Sequence, residues 1–244
     1  MADILELKNV GFSATEGRII HGITTGFEVS KITAIIGPSG GGKSTVLKLA
    51  AGLLVPDQGE VLYKNKNIAL MSNAENLEFR REGAFVFQDS ALWANQNIEQ
   101  ILELPLRIHF PAMTRNERIN RIKQVTLEVG YRKNLAIRPS RLSMGEQKLI
   151  GFARALLCKP TLLYLDEWVE SLDEISGNRL IDIVKRKKWE GSTVIFVCHD
   201  MRIIKDLADF ILIIKDGKVD AKIARDQING NTQLDDLIKA EMCS

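Results

Sequence analysis

Between residues 37 and 44 the chain reads Gly37-Pro38-Ser39-Gly40-Gly41-Gly42-Lys43-Ser44, with Thr45 next. A glycine, four residues and then Gly-Lys-Ser is the spacing of a loop that holds a phosphate chain. Each residue type has a task there. Glycines let the backbone curl until several N–H groups point at phosphate oxygens. A helix starting where the loop ends adds partial positive charge at its first turn. Lys43 supplies a point charge to the terminal phosphates, and Ser44 offers a hydroxyl to Mg²⁺. A glycine-rich turn that binds nothing has no need of the lysine. Nucleoside and guanylate kinases share the GPSGxGKS string, so the loop alone leaves the reaction open.

A second string carries acid. Leu162-Leu163-Tyr164-Leu165 is an apolar run that ends in Asp166-Glu167. In an open α/β sheet, ligands collect at the carboxyl ends of the strands. Asp166 there would hold Mg²⁺, and Glu167 would orient and polarise an attacking water. An Asp-Glu pair after a strand is often structural. Next to a phosphate loop it points to phosphoryl transfer.

These groups need elements to position them. Ile32-Thr33-Ala34-Ile35-Ile36 is a β-branched run suited to a strand buried on both faces. It feeds the loop, and a helix is expected over 44–51, with Gly52 and Pro56 beyond it. Residues 4–29 alternate in short runs and predict an antiparallel sheet, with turns at Glu16-Gly17 and at 24–26. From 89 to 159 the texture is helical. Thr114 with Glu117 fits a capping box, followed by Ile119, Ile122, Val125 and Val129 at helical spacing. Apolar runs at 162–165, 194–197 and 211–214 then alternate with helix-like stretches at 174–189 and 201–208. That order predicts parallel βαβ units. Asp216-Gly217 reads as a hairpin turn. One domain is expected over 1–244: an α/β core at 1–88 and 160–225, a helical insertion at 89–159, and a tail at 226–244.

Composition narrows the class. The 244 residues are 45% hydrophobic and 26% charged, enough for a large core under a charged surface. The net charge of +2 lacks the basic excess of a nucleic-acid binder, so no nucleic-acid partner is expected. No apolar run approaches the ~20 residues of a membrane span, and MADILELKNV does not read as a signal peptide. Cys158, Cys198 and Cys243 are scattered and odd in number, which predicts reduced thiols in a cytosolic chain. Cys198 is expected to be core filler. His21 and His109 have no motif around them and are expected at the surface.

Four further strings carry a family resemblance. Leu142-Ser143-Met144-Gly145-Glu146-Gln147 resembles the LSGGQ signature of ABC ATPases. Gln88, after Phe85-Val86-Phe87, resembles the Q-loop; Ser171-Leu172-Asp173 resembles the D-loop; His199 resembles the switch histidine. With the phosphate loop and the acidic strand, all six stand in the family's order over roughly residues 4 to 220. The resemblance implies a P-loop NTPase (RecA-like) α/β core with an antiparallel β subdomain and an inserted α-helical subdomain, the ABC ATPase fold. It implies ATP and Mg²⁺ as ligands, with Ser44, Asp166 and Gln88 toward the metal. It also implies a head-to-tail pair of subunits, in which Ser143 and Gly145 of one cap the γ-phosphate held by Lys43 of the other. Asp173 would face nucleotide, His199 would contact the γ-phosphate, and Gln88 would relay state to a transmembrane permease. The setting implied is the cytoplasmic face of the inner membrane.

Departures from the family pattern are local. Met144 and Glu146 replace a glycine and a glutamine of the signature. Glu167-Trp168-Val169-Glu170-Ser171-Leu172-Asp173 stands where the family usually has EPTSGLD. These changes raise a second reading, a regulatory subunit that binds ATP and hydrolyses little. The stretch Phe87-Gln88-Asp89-Ser90-Ala91-Leu92-Trp93, with Asn97-Ile98 and Leu104-Pro105-Leu106, is similar to the Mla/Mce-type phospholipid-transport ATPases. Amino-acid importers and lipoprotein-release ATPases share much of the scaffold and stay open as alternatives. A lipid carrier would add a lipid-binding protein. The tail at 227–244, with Leu234, Leu237 and Ile238 at helical spacing, would suit the core or a small regulatory subunit. Leu92, Trp93, Ile98 and Ile101 are candidates for the permease contact, with core packing as the alternative.

The aromatic that usually stacks on adenine would fall near Ala14, with Phe12 or a partner residue as substitutes. Stacking on a base is worth ~1–3 kcal/mol in nucleic-acid binders. Its loss predicts weak discrimination between ATP and GTP in steady-state hydrolysis. A preference for ATP above about a thousandfold would contradict this, since stacking worth ~1–3 kcal/mol cannot be both missing and decisive.

Overall fold

The structure is a computed structural model that describes residues 2–228. The proposed docking residues Leu234, Leu237 and Ile238, and Cys243, lie outside the described residues. The chain opens with two long antiparallel strands, β1 (Asp3–Ala14) and β2 (Gly17–Glu28). Then come β3 (Ile32–Ile36), α1 (Lys43–Ala50), β4 (Gln58–Tyr63), β5 (Lys66–Asn67), α2 (Asn73–Glu82) and β6 (Gly83–Val86). Three helices follow: α3 (Ile98–His109), α4 (Arg115–Glu128) and α5 (Met144–Leu156). The chain returns through β7 (Leu162–Asp166), α6 (Glu174–Trp189), β8 (Thr193–Val197), α7 (Met201–Leu207), β9 (Phe210–Lys215), β10 (Lys218–Ala224) and α8 (Arg225–Ile228).

The strands form two sheets. An antiparallel sheet runs in the order β2-β1-β4-β5, and a larger one in the order β10-β9-β3-β8-β7-β6. In the larger sheet β6, β7, β8, β3 and β9 are mutually parallel, and β10 closes the edge as an antiparallel hairpin partner of β9. Every residue of β3, β7 and β8 is buried. The pleat sends alternate side chains to opposite faces. Ile32, Ala34, Ile36, Leu163, Leu165, Val194 and Phe196 pack with α3, α4, α5 and α6. Ile35, Leu162, Tyr164, Ile195 and Val197 pack on the other face with Val46, Leu47 and Leu49 of α1 and with the antiparallel sheet. A strand covered on both faces reads as a continuous apolar run, the texture seen in the sequence.

Two expectations fail here. The turn expected at 24–26 does not exist: β2 is unbroken from Gly17 to Glu28, and Thr25 and Gly26 pair with Leu7 and Glu6. Gly26 marks a close approach instead, because a Cβ there would sit 1.9 Å from the Asp3 carboxylate. The ladder shifts register between Leu7 and Val10, so the local irregularity is a bulge within a strand. The chain does turn before Gly17, through Thr15 and Glu16. His109 is also not an ordinary surface residue. It is half-buried, its Nδ1 has no partner, and burial pushes its pKa down, with Arg81 adding to the effect. His21 is exposed and Cys198 is buried, as expected.

The helices start where their caps lie. Thr114 Oγ1 accepts from Glu117 N at 3.3 Å, and the Glu117 carboxylate accepts from Thr114 N at 2.7 Å, a complete capping box on α4. Behind it Ile122, Val125 and Val129 are fully buried. Thr114→Ala removes the hydroxyl side of the box. It should lower stability by about 1 kcal/mol, read as a lower denaturant midpoint at unchanged slope.

Candidate functional site

The loop after β3 is built around a backbone that only glycine permits. Gly37 has φ +143°, and a Cβ there would lie 1.9 Å from the carbonyl oxygen of Ile214. The loop therefore presses against β9 and turns into α1. Lys43, 7% exposed, folds its ammonium back over that loop. Its Nζ donates to Gly37 O at 2.9 Å and to Pro38 O at 2.7 Å. Burial lowers its pKa, opposed by the fields of Glu167 and Asp166.

Ser44 meets the acidic strand end directly: its Oγ donates to Asp166 Oδ1 at 2.9 Å. Asp166 and Glu167 are 3% and 9% exposed. Burial raises the pKa of Asp166, and the Ser44 bond and nearby lysines offset part of that rise. Glu167 is pushed up to about 7, first by burial and then by Asp166 and Glu170. His199 Nε2 lies 3.1 Å from Glu167 Oε1. The two are close, but Oε1 receives no hydrogen bond. Burial and the Lys43 charge lower the His199 pKa, which keeps the imidazole neutral beside the cation.

A cleft of about 1460 Å³ runs past these groups. Ser39, Gly40, Gly42, Lys43, Ser44 and Thr45 line one side, and Gln88, Glu167, Asp173 and His199 line the other. Gln88 Nε2 donates to Glu170 Oε2 at 3.3 Å. Asp173 caps α6, its carboxylate accepting from Ser176 N at 2.9 Å and from Ser176 Oγ at 2.8 Å. Gly37, Pro38, Gly41 and Asp166 are not part of its lining, though Asp166 bonds to Ser44, which is. Ser143 and Gly145 do not line it at all. Ser143 instead caps α5, accepting from Glu146 N at 3.2 Å, while the Glu146 carboxylate accepts from Ser143 N at 3.0 Å. The departure at Glu146 thus completes a capping box and pairs with Lys133 at 2.5 Å. Met144 at α5's start is 68% exposed.

Phe12 does not line the cleft; it packs on the core beside the antiparallel sheet, and Ile19 holds the cleft wall instead. An aliphatic face there offers contact to a base without ring stacking. Among the residues named for a permease contact, Ile98 and Ile101 are fully buried and belong to the core. Leu92 is partly buried against the same core, and Trp93 is 46% exposed.

Three contributors were missed from the sequence: Ile19, Lys148 and Glu170. Lys148 gave no clear signal: it stands at the polar edge of α5, after Glu146-Gln147 and before the apolar run Leu149-Ile150-Gly151-Phe152-Ala153. It is 4% exposed.

Ser44 and Asp166 present hard oxygen donors side by side, and Glu167 adds an orphaned carboxylate oxygen. Oxygen donors of this kind fit Mg²⁺. Beside a glycine loop whose lysine ammonium sits over backbone carbonyls, the cleft has the chemistry to hold a nucleoside triphosphate and expose its terminal phosphate to water.

The sequence profile of the family described as ABC transporter matches residues 20–170. The chain is similar to the intermembrane phospholipid transport system ATP-binding protein MlaF of Haemophilus influenzae. The two are 34% identical over 233 residues, covering 93% of this chain and 86% of that protein. It is also similar to the L-cystine import ATP-binding protein TcyC of Bacillus subtilis, at 30% identity over 88% of each. Among solved structures it resembles the dimeric, post-hydrolysis state of the ATP-binding cassette MJ0796 bound to ADP and Pi. That match has a TM-score of 0.84 and 28% identity, covering 91% of this chain and 98% of that one. Fold, cleft and these likenesses agree along nearly the whole length, and the chain belongs to the ABC transporter family as an ATP-binding, ATP-hydrolysing subunit.

Proposed function

We propose that this chain hydrolyses ATP to drive phospholipid transport, working as one of two like subunits beneath a transmembrane permease at the cytoplasmic face of the inner membrane. The observation that carries the catalytic part is the convergence of Lys43, Ser44, Glu167 and His199 on one cleft, with Asp166 bonded to Ser44 at the end of its strand. Glu167 is the base: a carboxylate titrating near neutrality can both accept a proton from water and release it. His199 stands beside it, neutral, with Nε2 facing the carboxylate. The loop N–H groups and Lys43 bind and orient the β- and γ-phosphates. Ser44, Asp166 and Gln88 would hold Mg²⁺, which when bound neutralises charge on the phosphate oxygens. Asp173 borders the same cleft from the start of α6.

Ser143 and Gly145 lie away from the cleft of their own chain, which leaves room for the role the signature resemblance implies, capping a neighbour's nucleotide. A hydroxyl proton and a helix N-terminus facing an anion make a sound lid. Shifting open subunits to a closed pair from 1:99 to 99:1 takes ~5.5 kcal/mol of preference for the closed state. The phosphate loop binds nucleotide in either state, so contacts made only in the pair must supply that preference.

A second, apolar hollow of about 370 Å³ lies beside Gln88. Leu53, Phe79, Phe85, Phe87 and Trp93 line it, together with Arg80 and Arg154. It suits a short permease helix with an apolar face. No helix among the described residues is long and apolar enough to cross a membrane, so a spanning partner would supply the path. The cargo reading rests on the likeness to MlaF together with the stretch from Phe87 to Leu106. The likeness to a cystine importer favours the competing reading, an amino-acid transporter. Lipid or amino acid co-purifying with the intact membrane complex decides between them. A regulatory subunit with little hydrolysis fits less well, because the acidic pair, Lys43 and His199 are all in place.

Glu167→Gln should cut ATP turnover by at least about 100-fold, the lower end for a lost general base, while ATP binding persists. Unchanged turnover of the complex would remove Glu167 from the mechanism. Ser143→Ala should weaken ATP-driven pairing and turnover more than initial ATP binding, read by light scattering, phosphate release and nucleotide titration. Equal losses in all three would contradict a lid supplied in trans.

A further inference from the structure

The backbone that presents Glu167 is held in an unfavourable conformation. Glu167 has φ +43° and Ser171, four residues on, has φ +66°. Non-glycine residues pay to occupy this region, and such strain persists only where the surroundings over-determine it. The surroundings here come from α5 of the same chain. Lys148 Nζ donates to the carbonyl oxygen of Glu167 at 2.6 Å, a short charge-assisted bond. One turn further along α5, Phe152 stacks on Trp168, the residue after Glu167, with ring centroids 5.6 Å apart and planes at 29°. Residues four apart share one helix face, so Lys148 and Phe152 grip consecutive residues of the loop. All three side chains are buried.

We propose that Lys148 is a positioning residue for Glu167: its ammonium fixes the carbonyl of the strained loop, and the Phe152–Trp168 stack holds the next residue, so that the Glu167 carboxylate is aimed into the cleft. The inference rests on the reading of Glu167 as the catalytic base. It adds that the lid and the base are parts of one body, because Ser143 is the cap of the helix that carries Lys148 and Phe152. The same helix grips the segment after Gln88. Arg154 donates to Ala91 O at 2.6 Å and Ser90 O at 3.0 Å, and both residues have positive φ. Lys148 does not itself line the cleft; its hydrogen bond reaches the site at the Glu167 carbonyl, while its charge also acts on Glu170 and Asp166.

The test is a double-mutant cycle on the full chain with Mg-ATP, because a residue acting solely through another shows no separate effect once that other is gone. Lys148→Met should lower kcat roughly 10- to 100-fold, the scale of a ~1 Å misplacement of a catalytic group, with ATP affinity within about threefold of the parent. In a Glu167→Gln background, Lys148→Met should change neither residual single-turnover hydrolysis nor ATP-driven pairing. Lys148→Gln, which is shorter and keeps a donor, reads the same cycle if the methionine variant does not melt cooperatively. Losses that add across the cycle, or a fall in ATP affinity parallel to kcat, would overturn the proposal. So would a Lys148→Met enzyme with parental kcat. Unchanged turnover in Glu167→Gln alone would instead refute the reading of the base.

Discussion

Two neighbouring carboxylates buried at the end of a central strand are the constraint around which this structure is arranged. Asp166 and Glu167 are almost fully covered. Taking an ionised carboxylate out of water costs several kcal/mol even after relaxation, and two side by side repel each other. The fold answers with a hydroxyl at Asp166 and with two buried ammonium groups, Lys43 and Lys148, from different elements. Burial still wins, since both carboxyl pKa values rise, and Glu167 ends near 7. That residual imbalance is chemically useful, because a carboxylate balanced near neutrality can exchange a proton with water under working conditions.

Meeting this constraint determines where the elements lie. Strand β7 sits between β6 and β8, so its last residues emerge inside the molecule and close to β3 and the phosphate loop. Both lysines are themselves pushed down in pKa by burial and pulled back by the carboxylates, so each charge depends on the others. Such groups are coupled, and substitutions among them should not be independent.

The departures from the family's usual loop find physical accounts in the packing. Trp168, where proline is usual, is fully buried and stacks on Phe152, which offsets an indole N–H left without a partner. An unsatisfied buried donor costs ~1–3 kcal/mol, and the area and stacking of a buried indole are of that order. Ser171 takes the left-handed conformation that the usual glycine accepts freely. Glu170 is drawn into the site by Gln88. Glu146 trades the usual glutamine for a capping carboxylate, which satisfies the helix N-terminus but places a negative charge near the lid.

What the sequence by itself determined is what short-range pattern encodes. The glycine spacing of the phosphate loop, the apolar run ending in Asp166-Glu167, the Thr114 capping box and the Asp216-Gly217 turn are properties of adjacent residues, and each was legible. The extra turn at 24–26 was misread because glycine signals both a bend and a close approach, and only the neighbouring Asp3 side chain separates the two. Ile98 and Ile101, Ile19, and above all Lys148 were decided by tertiary structure. Their surroundings come from chain segments far away in sequence. Lys148 reads as an ordinary surface cation until β7 brings the carbonyl of Glu167 to within 2.6 Å of its ammonium. Burial and electrostatic coupling depend on distance in space, and that distance exists only once the sheet has set the order of its strands.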